Sequence, residues 1–139
     1  MSIIDTAITR LQQIALESAD TTIKSAPQYP VESASVLPMA VAHINTGEAI
    51  VHSAGEAQMI LTVRVDIHVN LKTLKSAYQQ INGIIPDYMR RLGGDPTLNT
   101  AAATIVFPVT VEVSATQWNN VQTLMASFSV PIKFRESTL

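Results

Sequence analysis

Arg64, Asp66 and His68 form a row of ionisable side chains that alternates with apolar residues along one segment of the chain. Residues two apart in a β-strand point to the same face, so the row would lie on one side of a sheet. Such a row could serve acid–base chemistry, but the solvated face of an antiparallel strand has the same pattern. No nucleophile, second carboxylate or glycine-rich loop accompanies it, so we predict no catalytic residues. A face packed against another subunit fits the row better than catalysis.

Metal and cofactor sites are not indicated by the remaining polar residues. The histidines His43, His52 and His68 fall on three different predicted strands, and the chain contains no cysteine. Their spacing matches no helical metal motif, so we predict sheet-surface histidines and no metal site. The pair Gly93-Gly94 follows a predicted helix and lacks the spacing of a phosphate-binding loop, which favours a helix stop. We therefore predict no cofactor.

Composition favours one ordered domain spanning residues 1–139. Hydrophobic residues make up 47% of the chain and charged residues 14%, a balance opposite to that of disordered chains. The net charge of −2 argues against nucleic-acid binding as the main activity. The chain has no apolar run of about 18 residues and its first residues lack the basic start of a signal peptide. We expect a soluble, intracellular protein.

Periodicity predicts two helices and five strands. Apolar residues at helical spacing predict helices at 3–18, with Ser2 as cap, and at 71–92, with Asn70 as cap and a kink or a second segment near Pro86. Residues 19–35 form a proline-containing loop and 95–102 another loop. The predicted strands are 36–44, 49–53, 58–69, 104–113 and 126–134. A turn at 45–48 separates the first two strands, and a short helical turn is predicted at 116–124.

These elements predict an α+β fold: a mostly antiparallel β-sheet with two main helices packed on it, in the order α-βββ-α-β-(short turn)-β. This succession resembles the tail-terminator, or tail-completion, proteins of long-tailed bacteriophages. The resemblance covers nearly the whole chain and depends on size, element order and the closing strand at 128–134, not on an invariant motif. Members of that family are small α+β proteins that form a hexameric ring.

The resemblance implies a structural virion protein and no enzyme. The ring would cap the tail tube, end its polymerisation and form the joint to the head connector. The implied partners are further copies of the chain in a hexamer, the tail-tube protein and the head–tail connector protein; no membrane takes part, and DNA passes through the lumen only as cargo. The implied location is the tail–head junction of the virion, and the host cytoplasm during assembly.

Contacts with these partners are expected at turns, loops and polar strand faces, where a neighbour can cover unpaired edges. Trp118 fits an interface or a lid over the core equally well. The predicted interface residues are Asn45, Thr46, Gly47, Glu48, Gly55, Glu56, Arg64, Asp66, Asp95, Thr97, Asn99, Glu112 and Trp118.

Two other functions remain open at this point. One is a different neck or tail-tube subunit of the same assembly, which would form open-ended polymers or attach to the head connector. The other is a small-molecule-binding or enzymatic α+β dimer that uses the sheet as the floor of a pocket. That dimer would bind a saturable ligand and lose activity on replacement of Asp66 or His68.

Overall fold

The sheet and its two helices are seen in a computed structural model that describes residues 3–16, 37–53, 56–71, 73–98, 103–118 and 121–136. The elements are α1 (Ile3–Leu16), β1 (Met39–Ser53), β2 (Glu56–Asn70), α2 (Leu74–Gly93), β3 (Ala103–Ile105), β4 (Thr110–Trp118) and β5 (Val121–Glu136). All strand pairs are antiparallel, in the order β1-β2-β5-β3, and β4 also pairs with β5. The predicted α+β class is confirmed. Neither described helix is long and apolar enough to cross a bilayer.

The hydrophobic core lies on one face of the sheet because every second residue of β2 and β5 is apolar. This face, which we call the helix-bearing face, packs against both helices. Its buried strand residues are Val63, Val65, Ile67 and Val69 of β2 and Leu124, Ala126, Phe128, Val130, Ile132 and Phe134 of β5. We call the opposite face, which carries Arg64, Asp66 and His68, the polar face.

The predicted turn at 45–48 is wrong, because β1 is one continuous strand from Met39 to Ser53. Its register with β2 shifts between Ile44 and Thr46, which leaves Asn45 as an extra residue in a β-bulge. Gly47 lies opposite Leu61, and a Cβ at position 47 would come within 2.2 Å of Leu61 Cδ2. The glycine therefore leaves space for Leu61 within the ladder and does not make a turn.

The predicted organisation of residues 104–124 is also wrong. The chain leaves the sheet between β3 and β4, around Pro108, because proline has no N–H for the ladder. In the described part of 116–124 there is strand in place of the predicted helical turn: β4 continues to Trp118, which pairs with Val121 at the start of β5. The observed order is therefore α-ββ-α-βββ.

The N-cap of helix α2 lies three residues after the predicted cap at Asn70. Thr73 is the N-cap, and its Oγ1 accepts a hydrogen bond from the backbone N–H of Ser76 at 3.3 Å. The helix continues past Pro86 without starting a second segment, and Gly94 N–H donates to the carbonyl of Arg90 at 3.1 Å. The predicted glycine stop is confirmed. The predicted cap of the first helix, Ser2, lies outside the described residues.

Replacing the observed cap should weaken the fold measurably. We expect Thr73→Ala to lower the free energy of unfolding by about 1 kcal/mol, because the Ser76 N–H loses its acceptor. Urea denaturation followed by circular dichroism measures the change, and Thr73→Ser, which keeps the hydroxyl, should remain close to the wild type. An equal loss in Asn70→Ala, at the cap predicted from the sequence, would contradict the assignment.

Candidate functional site

The candidate site is the polar face, where the strand pairing aligns polar side chains from neighbouring strands. In the register of the sheet, Asp66 of β2 lies opposite Val41 of β1 on one side and Ser127 of β5 on the other. Ser127 in turn lies opposite Glu112 of β4. Residues opposite one another in an antiparallel pair share a face. One row of side chains therefore crosses strands β1, β2, β5 and β4.

A hydrogen-bonded network holds the centre of this row in place. The Arg64 Nε donates to Asp66 Oδ1 at 2.8 Å and to Ser127 Oγ at 2.6 Å, and the Ser127 hydroxyl donates to Asp66 Oδ1 at 2.6 Å. The Asp66 side chain is 13% exposed and that of Arg64 36%. Burial of a carboxylate is tolerable only when it is paired and hydrogen-bonded, as it is here.

The sequence placed Arg64, Asp66 and His68 together on one face, and the structure confirms this. The prediction of a sheet-surface histidine is wrong for His68, which is buried, as is Asp66. Both lie on β2, which has β1 on one side and β5 on the other. The neighbouring strands therefore bring further side chains alongside them.

His68 lies on the same face, two residues after Asp66 in β2, and is hydrogen-bonded to a threonine. Its Nδ1 is 2.9 Å from the Oγ1 of Thr123, which is itself fully buried. Burial lowers the pKa of His68 below its ordinary value; the Asp66 carboxylate opposes that change and the Arg64 guanidinium adds to it. The imidazole is therefore held in its neutral form more strongly than in the unfolded chain.

This lowered pKa predicts a loss of stability on mild acidification. Between the folded-state pKa and the ordinary value of 6.5, the unfolded chain binds a proton that the folded chain does not. We therefore expect the free energy of unfolding to fall as the pH is lowered through 6.5. Urea denaturation at pH 8, 7, 6 and 5 measures this free energy. In His68→Gln, the slope of the free energy of unfolding against pH should be flatter between pH 7 and 6. An unchanged slope in that variant would contradict the assignment.

A shallow groove lies beside the Arg64 network. Its volume is about 400 Å³, and its lining comes from all four long strands, with Asn45 from β1, Arg64 from β2, Ser129 from β5 and Glu112 from β4. A second hollow of about 400 Å³ adjoins Thr46, Gly47, Ile60 and Thr62. Ligand pockets for small molecules are mostly apolar and enclosed. The linings of both hollows are more polar than apolar, unlike those of such pockets.

The structure brings together four of the predicted interface residues: Asn45, Arg64, Asp66 and Glu112 lie along the polar face. Thr46 and Gly47 line the second hollow. Asp95 and Thr97 lie elsewhere, beyond the end of α2, where Asp95 accepts a hydrogen bond from Arg10 of α1 at 2.7 Å. That ion pair gives Asp95 a role in joining α1 to the segment after α2.

The remaining predicted interface residues are only partly described. The backbone places Glu48 in β1, Glu56 in β2 and Trp118 in β4. Gly55 and Asn99 lie outside the described residues. These positions stay predictions.

Sequence reasoning missed Ser127 and Thr123 as members of the site. Their alternation within the last strand could have assigned them to one face, but their proximity to Asp66 and His68 depends on the register between β2 and β5. Within the described ranges, no three acidic or histidine side chains lie close enough to hold a metal ion. His43 lies opposite Arg64 and His68 opposite Met39, so the two histidines are about 13 Å apart along the strands.

Comparison with protein-family models gave no match, and no curated protein sequence matches the chain.

Proposed function

We propose that this chain is a structural virion protein that caps a phage tail tube as a ring. The observation that supports it is the gathering of Asn45, Arg64, Asp66 and Glu112 on the sheet face opposite the helices, while the ring and the tube follow from the resemblance to tail-terminator proteins. Side chains held by mutual hydrogen bonds lose little conformational entropy when a partner binds. The network of Arg64, Asp66 and Ser127 therefore pre-orders the centre of this surface, on β2 and β5, which suits it to repeated protein contact.

The proposed assembly assigns one task to each part of the ring. Copies of the chain associate, as a hexamer in the resembled family, and one surface of the ring covers the last row of tail-tube subunits. The opposite surface meets the head–tail connector, and DNA passes through the lumen. The protein then resides at the tail–head junction of the virion and does no chemistry.

Light scattering combined with negative-stain microscopy of the purified protein tests this proposal. We expect a discrete oligomeric mass and closed rings of one diameter. Open-ended filaments would identify a tail-tube subunit instead, and binding to head connectors without rings would identify another neck protein. A dimer with a saturable small ligand and turnover that Asp66→Ala abolishes would contradict a structural role.

A further inference from the structure

Strand β4 forms one edge of the sheet and is open to solvent within a single copy. Among the described residues, β5 is the only strand that pairs with β4. None of residues 110–117 is buried: each is exposed or half-buried. Every second residue of an antiparallel strand directs its N–H and C=O to the same side. The side of β4 away from β5 therefore presents backbone groups with which another strand can pair.

This edge carries few of the features that prevent strands of different molecules from pairing. Natural edge strands are blunted by lysine, proline, β-bulges or short length. The nine residues of β4 include no lysine, arginine or proline, and the strand pairs with β5 without a register shift. Glu112 is its single charged residue. The strand is therefore regular enough to accept a neighbour on its outer side.

The helix-bearing face of β4 also carries apolar side chains that the helices leave partly uncovered. Val111 and Val113 pack at the margin of the core and are half-buried, and Ala115 is exposed. Both helices pack mainly on β1, β2 and β5. A strand added beside β4 would cover these side chains from the edge and remove apolar surface from water.

The residues of β4 are complementary to a second β4 that runs antiparallel to the first. A two-fold axis through Ser114, the midpoint of Thr110–Trp118, would pair all nine residues of the two strands. In this register Val113 of one copy would lie opposite Ala115 of the other, on the helix-bearing face. Cross-strand apolar pairs of this kind stabilise a sheet.

The charge on Glu112 favours this register over one shifted by two residues. With the axis at Ser114, Glu112 lies opposite Thr116, whose hydroxyl can donate to the carboxylate, and the Cα atoms of the two Glu112 residues are about 14 Å apart. An axis at Glu112 would place the two carboxylates opposite each other, which is destabilising. It would also extend the pairing to Pro108, which has no N–H to donate.

We propose that two copies of this chain pair through β4, antiparallel about a two-fold axis at Ser114, so that their sheets join into one. The same edge meets itself, so the contact is isologous and closes on two copies. The inference goes beyond the proposed function and does not depend on it. Contacts within a ring are heterologous and involve other surfaces, so the β4 pair would join one ring to a second.

Single-cysteine variants test this contact, because the chain contains no natural cysteine. In the proposed register the Cα atoms of the two Ser114 residues are about 4.5–5.5 Å apart, within the range of a disulfide. Oxidised Ser114→Cys should therefore run as a covalent dimer in denaturing electrophoresis without reductant. Glu112→Cys and Thr116→Cys should each stay monomeric alone and should form dimers when they are mixed before oxidation.

A second set of variants places the cysteines on the helix-bearing face. Successive residues of a strand alternate between hydrogen-bonded and non-hydrogen-bonded pairs, so Val113 and Ala115 have the pair type that Ser114 lacks. A mixture of Val113→Cys and Ala115→Cys should therefore give dimers even if the pair type at Ser114 disfavours a disulfide. Asn82→Cys, at an exposed position of α2, is the control and should stay monomeric.

Light scattering tests the contact without a cross-link. Ser114→Lys places two like charges opposite each other at the centre of the pair. We expect this variant to have half the particle mass of the wild type, whether the β4 contact joins two single copies or two rings. Asn82→Lys is the matched control and should keep the wild-type mass, and circular dichroism checks that both variants are folded.

Several results would overturn the inference. One is the absence of dimers both in Ser114→Cys and in the mixture of Val113→Cys and Ala115→Cys. Another is a particle mass that Ser114→Lys leaves unchanged. Dimers of Glu112→Cys alone would show a different register and contradict the inference equally. Rings and tube capping are scored separately by microscopy, so β4 dimers without rings contradict the proposed function alone, and rings without β4 cross-links contradict this inference alone.

Discussion

Tyr88→Ala should lower the free energy of unfolding by about 3–5 kcal/mol, the range for truncating a buried aromatic residue. Tyr88 is 1% exposed and joins three elements. From α2 its hydroxyl donates to the carbonyl of Leu11 in α1 at 3.0 Å, and its ring meets that of Phe128 in β5 edge-on, with centroids 4.8 Å apart. The truncation opens a cavity where both helices meet the sheet.

Urea denaturation of Tyr88→Ala, Tyr88→Phe and Tyr78→Ala separates the contributions of these contacts. Tyr88→Phe keeps the ring and leaves the Leu11 carbonyl without its donor, so a loss of about 1 kcal/mol is expected. Tyr78 lies on the same helix but is 44% exposed, and its truncation should change stability by less than about 0.5 kcal/mol. Equal losses at positions 78 and 88 would contradict the described packing of α2.

Asp66→Ala should lower the free energy of unfolding by about 2–3 kcal/mol. The carboxylate accepts hydrogen bonds from Arg64 Nε and Ser127 Oγ, and hydrogen bonds to charged groups are each worth about 1.5–3 kcal/mol. We expect a loss smaller than the sum of the two hydrogen-bond energies, because the Arg64 side chain is one-third exposed and becomes hydrated when its partner is removed. Glu112→Ala, at an exposed position of the same face, is the matched control and should leave the melting temperature unchanged.

A double-mutant cycle attributes this loss to the network. Asp66→Ala and Ser127→Ala share the Oδ1–Oγ hydrogen bond, so their combined effect should be smaller than the sum of the single effects. Strict additivity would show that the two side chains do not interact in solution, and the pre-ordered polar face would lose its basis.

The sequence predicted the fold best where the pattern was long and regular. Six apolar residues alternate along β2, and this strand lies where the alternation placed it. The sequence Asn45-Thr46-Gly47-Glu48 has the composition of a turn, yet pairing along the whole of β2 keeps it within β1 as a bulge. The backbone pairing of β1 with β2 outweighs the local turn preference of these residues. That pairing extends over more residues than a short stretch of sequence contains.

The site was predicted in part for a related reason. Period-two spacing places Arg64 and Asp66 on one face whatever the partners of β2 are. Their contact with Ser127 joins residues about sixty positions apart and depends on the β2–β5 register, which a single sequence does not specify. Period-two spacing does not specify how deeply a face is buried, so the burial of Asp66 and His68 could not be foreseen either.

Tail-tube length is the most direct measure of the central claim that this chain caps a tail tube. Tail-tube protein from the same genome is polymerised with and without the purified chain, and electron microscopy records tube lengths and ends. We predict short tubes that bear one ring at an end, whereas Glu112→Lys on the polar face should lose this effect and Lys75→Glu on the exposed side of α2 should retain it. Tubes of unchanged length without end rings would contradict the account.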